Sequence, residues 1–481
     1  MVSINNDNRG MGDRQKKLRQ RLFVGAVSWL CFIFGANVCN ILIPSSPSHV
    51  AINAGIDIDV PFIRMGEPIK LVDDPLDVFL GKYNLTQDIK ARQILSASTN
   101  LINIGYSSHE DEILLNDYSY GGIVAEFCPL NFDIHKDNSI GVGTYQDIIE
   151  KSHCGKGSKH IIRVDLKEVI QLVREYDAYI AQETMNTKYA TTILDLKGVV
   201  FHEGKCGASL AYNLLRELNP TKNRVYSEVG PLEAAMKICP EGYTECSVKT
   251  SANLLKDVVY LMGRSNDIDK ENLFFILQPE ATHSMQSFRL AFPNTPWIFL
   301  FRDSMDAIMS KSKREVLSYS PMVQTLLKKM RIKSMSDLST TELYAAQLAT
   351  FRYSVLMNFD EANGFHSLGL AVEYSTRLAS HLVNTIVPLH FHTVVDKDGK
   401  RRIRNGGKNY DSRDDGVSPP DAEDRESYDV PESAKRAAKK FLDKPYKKLD
   451  KSTYNFEKCQ YTKGDGTKGL QCEEQEGSSD D

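Results

Sequence analysis

From about residue 192 onward, short apolar runs alternate with longer amphipathic stretches. The run GVVFHE is followed by a turn and then by a stretch whose leucines fall on one helical face. The runs RVYSEVG, LFFILQP, PWIFLFRD and LAVEYS also read as strands, and LFFILQP and PWIFLFRD are apolar enough for parallel strands buried on both faces. Strands that alternate with helices predict an α/β fold, with an open, mostly parallel sheet in three layers, over residues 192–395.

A second apolar pattern lies near the N-terminus. Residues Leu22–Ile43 carry no charged side chain, and as a helix they would span about 33 Å, enough to cross a bilayer core. The basic stretch DRQKKLRQR precedes them, which places that side in the cytosol and the rest of the chain in a lumen. A cleaved signal peptide is the alternative, but the apolar stretch is longer than a signal peptide requires. The sequence therefore predicts a single-pass type II signal anchor.

Shifts in composition divide the chain further. The predicted segments are a cytosolic tail (1–21), the membrane helix (22–43), a stem (44–115), an N-terminal extension packed on the main domain (116–191), the α/β domain (192–395), a basic loop and C-terminal helix (396–460), and an acidic tail (461–481). The formal net charge of -4 excludes a globally basic nucleic-acid-binding protein.

Cysteine usage fits a lumen, where disulfides persist. Short spacings suggest three pairs, although spacing alone does not prove connectivity. The pairs are Cys128 with Cys154, Cys239 with Cys246, and Cys459 with Cys472. Cys206 is then the odd thiol outside the membrane segment, and the sequon at Asn84 predicts a glycoprotein.

The turn HEGKCGAS has the composition of a phosphate cradle. Gly204 and Gly207 allow the backbone to approach a ligand closely, Lys205 supplies charge and Ser209 a hydroxyl, at the start of a helix that favours anions. An ordinary glycine-containing connection is the alternative. A loop that binds a triphosphate needs a different glycine spacing and a Ser or Thr where Cys206 stands, so a magnesium–nucleotide site is disfavoured.

Two further strand ends carry candidate ligand-binding residues. Arg302 ends the strand PWIFLF, and Ser310 follows eight residues later, so both can converge on one phosphate. A local ion pair between Arg302 and Asp303 is the alternative. Tyr374 ends the strand LAVE at the same edge of the sheet, where its ring can stack on a base or simply pack.

Taken together, these motifs resemble the sulfotransferases that use 3'-phosphoadenosine 5'-phosphosulfate (PAPS). Their loop K-x-G-[ST]-[ST]-[LW] is matched by KCGASL except at Ala208, and their strand ending in Arg with a later Ser is matched except that Ser304 replaces a usual proline. The resemblance covers roughly residues 192–395 and implies a P-loop-like turn that binds phosphosulfate, without a metal. The implied PAPS-binding residues are Lys205, Cys206, Gly207, Ala208, Ser209, Leu210, Arg302, Ser310 and Tyr374.

The resemblance also implies catalytic roles. Lys205 would stabilise the leaving phosphate, and a base would take the proton of the acceptor. Glu228, at the end of the second strand, ranks first for that role because Golgi carbohydrate sulfotransferases place a glutamate at a similar point. His283 ranks second and Glu280 third. The basic stretch GKRRIRNGGK is either a loop over the 3'-phosphate or a solvated run of charge.

The sequence therefore predicts a PAPS-dependent sulfotransferase of the Golgi membrane, with its catalytic domain in the lumen. The expected acceptor is a hydroxyl or amine of a secretory-pathway molecule, with a glycan as the first choice. Two alternatives stay open: an inactive glycan-binding or scaffold protein on the same fold, and a nucleotide-dependent kinase.

Overall fold

The computed structural model describes residues 74–106, 115–116, 119–120, 122–132, 144–155, 157–182, 191–237, 247–310, 321–359, 368–375, 377–406, 430–452, 459–464 and 467–472. The predicted cytosolic tail, the predicted membrane helix Leu22–Ile43 and the part of the predicted acidic tail (461–481) beyond Cys472 lie outside these residues. Within the described ranges, no helix combines the length and the apolar character that crossing a bilayer requires.

The described chain contains strands and helices in alternation. The strands are β1 (Asn100–Tyr106), β2 (Leu115–Asn116), β3 (Ser119–Tyr120), β4 (Ile123–Cys128), β5 (Ile162–Asp165), β6 (Thr192–Ile193), β7 (Asp195–His202), β8 (Asn223–Ser227), β9 (Arg264–Ser265), β10 (Asn272–Ile276), β11 (Trp297–Phe301), β12 (Gly369–Glu373), β13 (Cys459–Gly464) and β14 (Thr467–Cys472). The α-helices are α1 (Pro75–Lys82), α2 (Ile89–Leu95), α3 (Tyr145–Lys151), α4 (Leu166–Gln182), α5 (Ala208–Leu218), α6 (Gly230–Met236), α7 (Val248–Gly263), α8 (Met285–Ala291), α9 (Ser304–Met309), α10 (Pro321–Lys329), α11 (Thr340–Phe359), α12 (Leu378–His381), α13 (Lys397–Gly406), α14 (Glu432–Ala437) and α15 (Asp443–Lys451). The remaining helical segments are the 3₁₀ turns Pro279–Ser284 and Met335–Asp337 and the π-helical segments Leu382–His390 and Ala438–Leu442.

A five-stranded sheet, in the order β12-β11-β7-β10-β8, forms the centre of the fold. All four strand pairings in it are parallel. Successive residues of β7 contribute to opposite faces: Val199 and Phe201 belong to one apolar cluster and Val200 to another. Helices pack on both faces, which is why the sequences of β10 and β11 are apolar at every core position. The predicted α/β fold with a parallel sheet is confirmed.

A three-stranded antiparallel sheet, in the order β1-β4-β5, precedes the central sheet in the chain and shares its core. The hydroxyl of Tyr145 donates to the carbonyl of Leu101 at 2.6 Å, and its ring meets that of Tyr226 in the edge strand β8. The predicted disulfide between Cys128 and Cys154 is present, which confirms that pairing.

Residues 74–106 fall within the predicted stem, yet they form α1, α2 and β1. Their side chains Leu76, Leu80 and Leu101 are fully buried in the same core. The N-terminal and central sheets therefore rest on helices from a part of the chain that the apolar pattern did not mark.

The other predicted disulfides are not decided by the structure. Cys239 and Cys246 lie outside the described residues. The backbone of Cys459 pairs directly with that of Cys472 across the β13–β14 hairpin, but the structure describes only the backbone of this hairpin. Both pairings stay predictions.

The C-terminal helices α14 and α15, with the π-helical segment between them, pack against α11. Ala437 and Phe441 join the apolar cluster of α11, and Lys440 pairs with Glu342 at 2.8 Å. Tyr446 of α15 donates to the carboxylate of Glu373, the last residue of β12, at 2.9 Å. The C-terminal helices therefore support the strand ends at which the predicted site lies.

Candidate functional site

The turn between β7 and α5 has the backbone geometry of an anion cradle. Gly204, Lys205 and Gly207 all have positive φ angles, of 92°, 46° and 85°. A Cβ on Gly207 would lie 2.6 Å from the ring of Tyr374, so only glycine fits there. Gly207 is also the N-cap of α5 and offers no side chain to the first-turn N–H groups. The helix N-terminus is thus left available for a negatively charged ligand.

A buried histidine holds the start of this turn. The Nδ1 atom of His202 accepts a hydrogen bond from the N–H of Gly204 at 3.0 Å. Burial lowers the pKa of His202 to about 4, so its ring is neutral and able to accept this bond at physiological pH. His202 therefore shapes the turn.

Cys206 faces the interior of the protein. Its thiol is fully buried and donates to the carbonyl oxygen of Leu300 in β11 at 3.1 Å. Burial raises the pKa of the thiol well above its usual range. Only the main chain of Cys206 can therefore contribute to a ligand site, and the side chain ties the turn to the neighbouring strand.

The other loop residues implied to bind the donor belong to the first turn of α5. Ala208 and Ser209 are half-buried, whereas Leu210 is buried in the apolar cluster on the α5 side of the sheet. Lys205 is exposed beside them. The loop therefore presents one charged side chain, one hydroxyl and a run of main-chain groups.

Arg302 lies beside this turn because β11 is the neighbour of β7. Its Nη1 atom donates to the carbonyl of Lys205 at 3.0 Å, and its guanidinium carbon lies 4.8 Å from the centre of the Tyr374 ring. Its Nε atom is buried and has no hydrogen-bond partner. The structure therefore brings together Lys205, Arg302 and Tyr374, and it leaves one buried donor of Arg302 without a partner.

Ser310 has a local partner. It directly follows α9, and its hydroxyl donates to the carbonyl of Ala307 at 2.9 Å. A ligand would have to compete for this hydroxyl.

The candidates for the catalytic base follow β8 and β10, the two strands beyond β7 in the sheet. Glu228 follows β8 with a φ angle of 54°, and its N–H donates to Ile276 at 2.9 Å. Glu280 and His283 lie in the 3₁₀ turn after β10. The Nε2 atom of His283 is bonded to the hydroxyl of Thr350 at 3.0 Å, and burial lowers the pKa of this histidine to about 4. His283 is thus engaged in the packing of α11.

A fourth titratable group, missed at the sequence level, lies among these candidates. Glu233 of α6 is 7% exposed, and one of its carboxylate oxygens is buried without a hydrogen-bond partner. Burial, followed by the charges of Glu280 and Glu228, raises its pKa to about 7, against the opposing effect of Lys237. A glutamate within the apolar helix GPLEAAM is the signal that could have identified it. Among the described residues, no three His, Cys, Asp or Glu side chains gather so as to hold a metal ion.

A buried ion pair behind the site was also missed. Glu203 and Arg352 are both fully buried, and Nε of Arg352 lies 2.7 Å from the carboxylate. Glu203 belongs to the turn itself, whereas Arg352 lies in α11, 149 residues later. Such a separation leaves no local sequence signal.

The basic stretch lies at the other end of α5. In α13, Nη2 of Arg402 donates to the carbonyl of Glu217 at 2.9 Å, and a Cβ on Gly399 would lie 2.1 Å from the carbonyl of Leu218. The eleven residues of α5 separate these contacts from the turn by about 16 Å. The described part of this stretch therefore lies at the end of α5 remote from the anion cradle, and its role stays a prediction.

Comparisons with known proteins find similar chains among solved structures. No protein-family model matches the chain, and no curated protein sequence matches it. Among solved structures, it is similar to the sulfotransferase STF9 from Mycobacterium avium, with 11% sequence identity and a TM-score of 0.31, over 58% of this chain and 83% of that one. It is also similar to the sulfotransferase STF1 from Mycobacterium tuberculosis H37Rv, with 12% identity and a TM-score of 0.26, over 57% and 83%.

Proposed function

We propose that this protein is a sulfotransferase that moves a sulfuryl group from PAPS to a hydroxyl or amine. The observation that carries the proposal is the junction between Arg302 and the turn around Lys205. Two anion-binding groups meet there at the carboxyl ends of adjacent parallel strands, where open α/β sheets bind ligands. PAPS carries anionic groups at two positions of one nucleotide, which suits two such groups.

The residues of the site fit this donor. The left-handed Gly207 allows the backbone to approach a ligand, and the unpartnered Nε of Arg302 needs an acceptor. The loop from Lys205 to Leu210 would hold the 5'-phosphosulfate end. Arg302 and Ser310 would hold the 3'-phosphate, and the ring of Tyr374 would stack on the adenine. When bound, PAPS supplies the sulfuryl group and a phosphate that can leave.

The protein's own contribution to the reaction is charge and proton transfer. The ammonium of Lys205 stabilises negative charge that develops on the departing phosphate. Glu228 takes the proton of the acceptor, with Glu280 as the second carboxylate on that side. Burial, and after it the charges of Glu280 and Glu228, raises the pKa of Glu233 to about 7, so Glu233 can hold a proton near neutral pH.

The kinase alternative is disfavoured by the orientation of Cys206. A magnesium–nucleotide loop needs a hydroxyl ligand at this position, whereas the side chain here points at the carbonyl of Leu300. A serine placed at this position would face the same carbonyl.

We further propose that the catalytic domain works in the Golgi lumen, anchored by Leu22–Ile43, and that the acceptor is a glycan or another secretory-pathway molecule. The disulfide Cys128–Cys154 supports an oxidising compartment. Asn84 of the sequon is exposed in the turn after α1, which supports glycosylation.

The proposal is tested by the equilibrium binding of 3',5'-adenosine bisphosphate, compared with ATP and magnesium. Tight binding of the bisphosphate and weak binding of ATP are expected. The reverse order would favour a kinase, and bisphosphate binding without transfer of labelled sulfate to any acceptor would favour an inactive binding protein.

A further inference from the structure

The guanidinium of Arg352 makes hydrogen bonds to three different residues at the ends of β7 and β11. Its Nε and Nη2 atoms donate to the two carboxylate oxygens of Glu203 at 2.7 and 2.9 Å. Nη2 also donates to the carbonyl of Arg302 at 2.8 Å. Nη1 donates to the hydroxyl of Ser304 at 3.1 Å. Arg352 is 0% exposed, and its contacts with Glu203 and Ser304 are buried.

Both main-chain polar groups of Arg302 are held by this ion pair. Its N–H donates to Glu203 Oε1 at 2.8 Å, and its carbonyl accepts from Arg352. Glu203 lies two residues before Lys205, whose carbonyl accepts from the Arg302 side chain at 3.0 Å. One ion pair thus sets the backbone of the loop and the backbone of the arginine that faces it.

We infer that Arg352 is a positioning residue for anion binding, which orients Arg302 against the Lys205 loop and uses Ser304 as a further partner. The inference rests on the proposed function only for the identity of the anion. A buried ion pair is weak evidence for stability alone, since apolar side chains of similar volume often replace one without loss. What they cannot replace is a planar fork of donors that joins a carboxylate, a carbonyl and a hydroxyl.

The same geometry explains why a serine stands at position 304. Proline usually stands at this place in the sulfotransferases that the sequence resembles, and proline has no hydroxyl. Here the side chain of Ser304 is 5% exposed and accepts from Arg352. The departure from the motif is therefore matched by a partner on α11.

The experiment is a double-mutant cycle on anion affinity, with the full chain at low ionic strength so that weak binding stays measurable. Ser304→Ala should weaken 3',5'-adenosine bisphosphate binding about threefold to tenfold, the effect of one hydrogen bond. Arg352→Lys, which keeps the charge but loses the fork, should weaken it by about tenfold or more. In an Arg302→Ala background the effect of Ser304→Ala should vanish, because no guanidinium is left to orient, and the effect of Arg352→Lys should shrink to what its hold on Glu203 in the loop contributes.

A matched control is another buried arginine–carboxylate pair, Arg264 with Asp177, at 2.8 Å. Arg264 also donates to the carbonyls of Ile94 and Leu95, near the amino end of β7 and away from the loop. Arg264→Lys should lower the melting temperature and leave the dissociation constant unchanged. A purely structural role for Arg352 would make the two lysine variants behave alike.

The inference is overturned if folded Ser304→Ala and Arg352→Lys proteins bind as the wild type does, or lose as much affinity in the Arg302→Ala background. If Arg352→Lys does not fold, the Ser304→Ala cycle decides. The binding of inorganic pyrophosphate distinguishes a failure of this inference from a failure of the proposed function. A wild-type protein that binds pyrophosphate but not the bisphosphate contradicts the PAPS assignment, and the cycle is then read with pyrophosphate. A wild-type protein that binds neither overturns both.

Discussion

The guanidinium of Arg352 donates to both carboxylate oxygens of Glu203, at 2.7 and 2.9 Å, and neither side chain is exposed to solvent. The pair lies directly behind the turn that carries Lys205 and the strand end that carries Arg302. Because Glu203 also accepts from the N–H of Arg302, the two segments of the proposed site are held together by contacts within the protein. The site is therefore preorganised, and its residues should act on binding and on turnover in separable ways.

Arg302→Ala should weaken the binding of 3',5'-adenosine bisphosphate by about tenfold to a hundredfold, because a charge-assisted contact to phosphate is lost. Lys205→Ala should weaken it in the same direction, and titration calorimetry measures both. Lys197, which pairs with Asp195 at the amino end of β7, is the control. If Lys197→Ala lowers the affinity as much, the loss reflects net charge and the assigned site is wrong.

Glu228→Gln should leave bisphosphate binding intact and lower turnover by about a hundredfold to ten-thousandfold, the usual contribution of a general base. The two quantities to measure are the dissociation constant of the bisphosphate and kcat for sulfuryl transfer. Glu271→Gln removes a carboxylate from an exposed pair with Lys222 and should change neither quantity. Turnover that survives in the Glu228 variant would transfer the role to Glu280 or His283.

Glu233 should make stability depend on pH. Its pKa is raised from 4.5 to about 7 in the folded protein, mainly by burial, so the folded state holds this proton more tightly than the unfolded state does. The stabilisation is complete below about pH 4.5 and is lost as the pH rises through about 7, by on the order of 3 kcal/mol. Urea unfolding between pH 5 and pH 8 should therefore show the wild type losing stability relative to Glu233→Gln. Parallel curves for the two proteins would contradict this assignment.

Gly207→Ala should abolish ligand binding and destabilise the fold. The left-handed backbone costs a non-glycine residue about 1–2 kcal/mol, and the new Cβ would displace the Tyr374 ring, 2.6 Å away. Gly105→Ala is the control, since a Cβ there meets nothing within 4 Å. The measurements are melting temperature and bisphosphate affinity, and similar behaviour of the two variants would argue against the cradle geometry.

The sequence was sufficient to predict the parallel sheet and to place the candidate residues at the carboxyl ends of its strands. Apolar runs such as WIFLF, in β11, report burial on both faces, and in such sheets ligands bind beyond the carboxyl ends of strands. The proximity of Lys205, Arg302 and Tyr374 follows from the adjacency of β7, β11 and β12, which the alternation of strands and helices suggested but did not order.

The sequence did not reveal the groups that act through tertiary contacts. Glu203 resembled any other loop residue, and its partner Arg352 lies on a helix whose apolar residues face several directions. The orientation of Cys206 depends on the carbonyl of Leu300, 94 residues away. The raised pKa of Glu233 depends on burial and on the charges of Glu280 and Glu228, and only the folded protein brings these groups together.

Sulfuryl transfer is measured directly by following ³⁵S-labelled sulfate from PAPS to a panel of glycans and other hydroxyl- or amine-bearing acceptors, with the full-length protein. Wild-type protein should label at least one acceptor, Glu228→Gln should retain bisphosphate binding without labelling it, and Arg302→Ala should lose both. Labelling that is unaffected by either substitution, or its absence with every acceptor despite tight bisphosphate binding, would contradict the assignment.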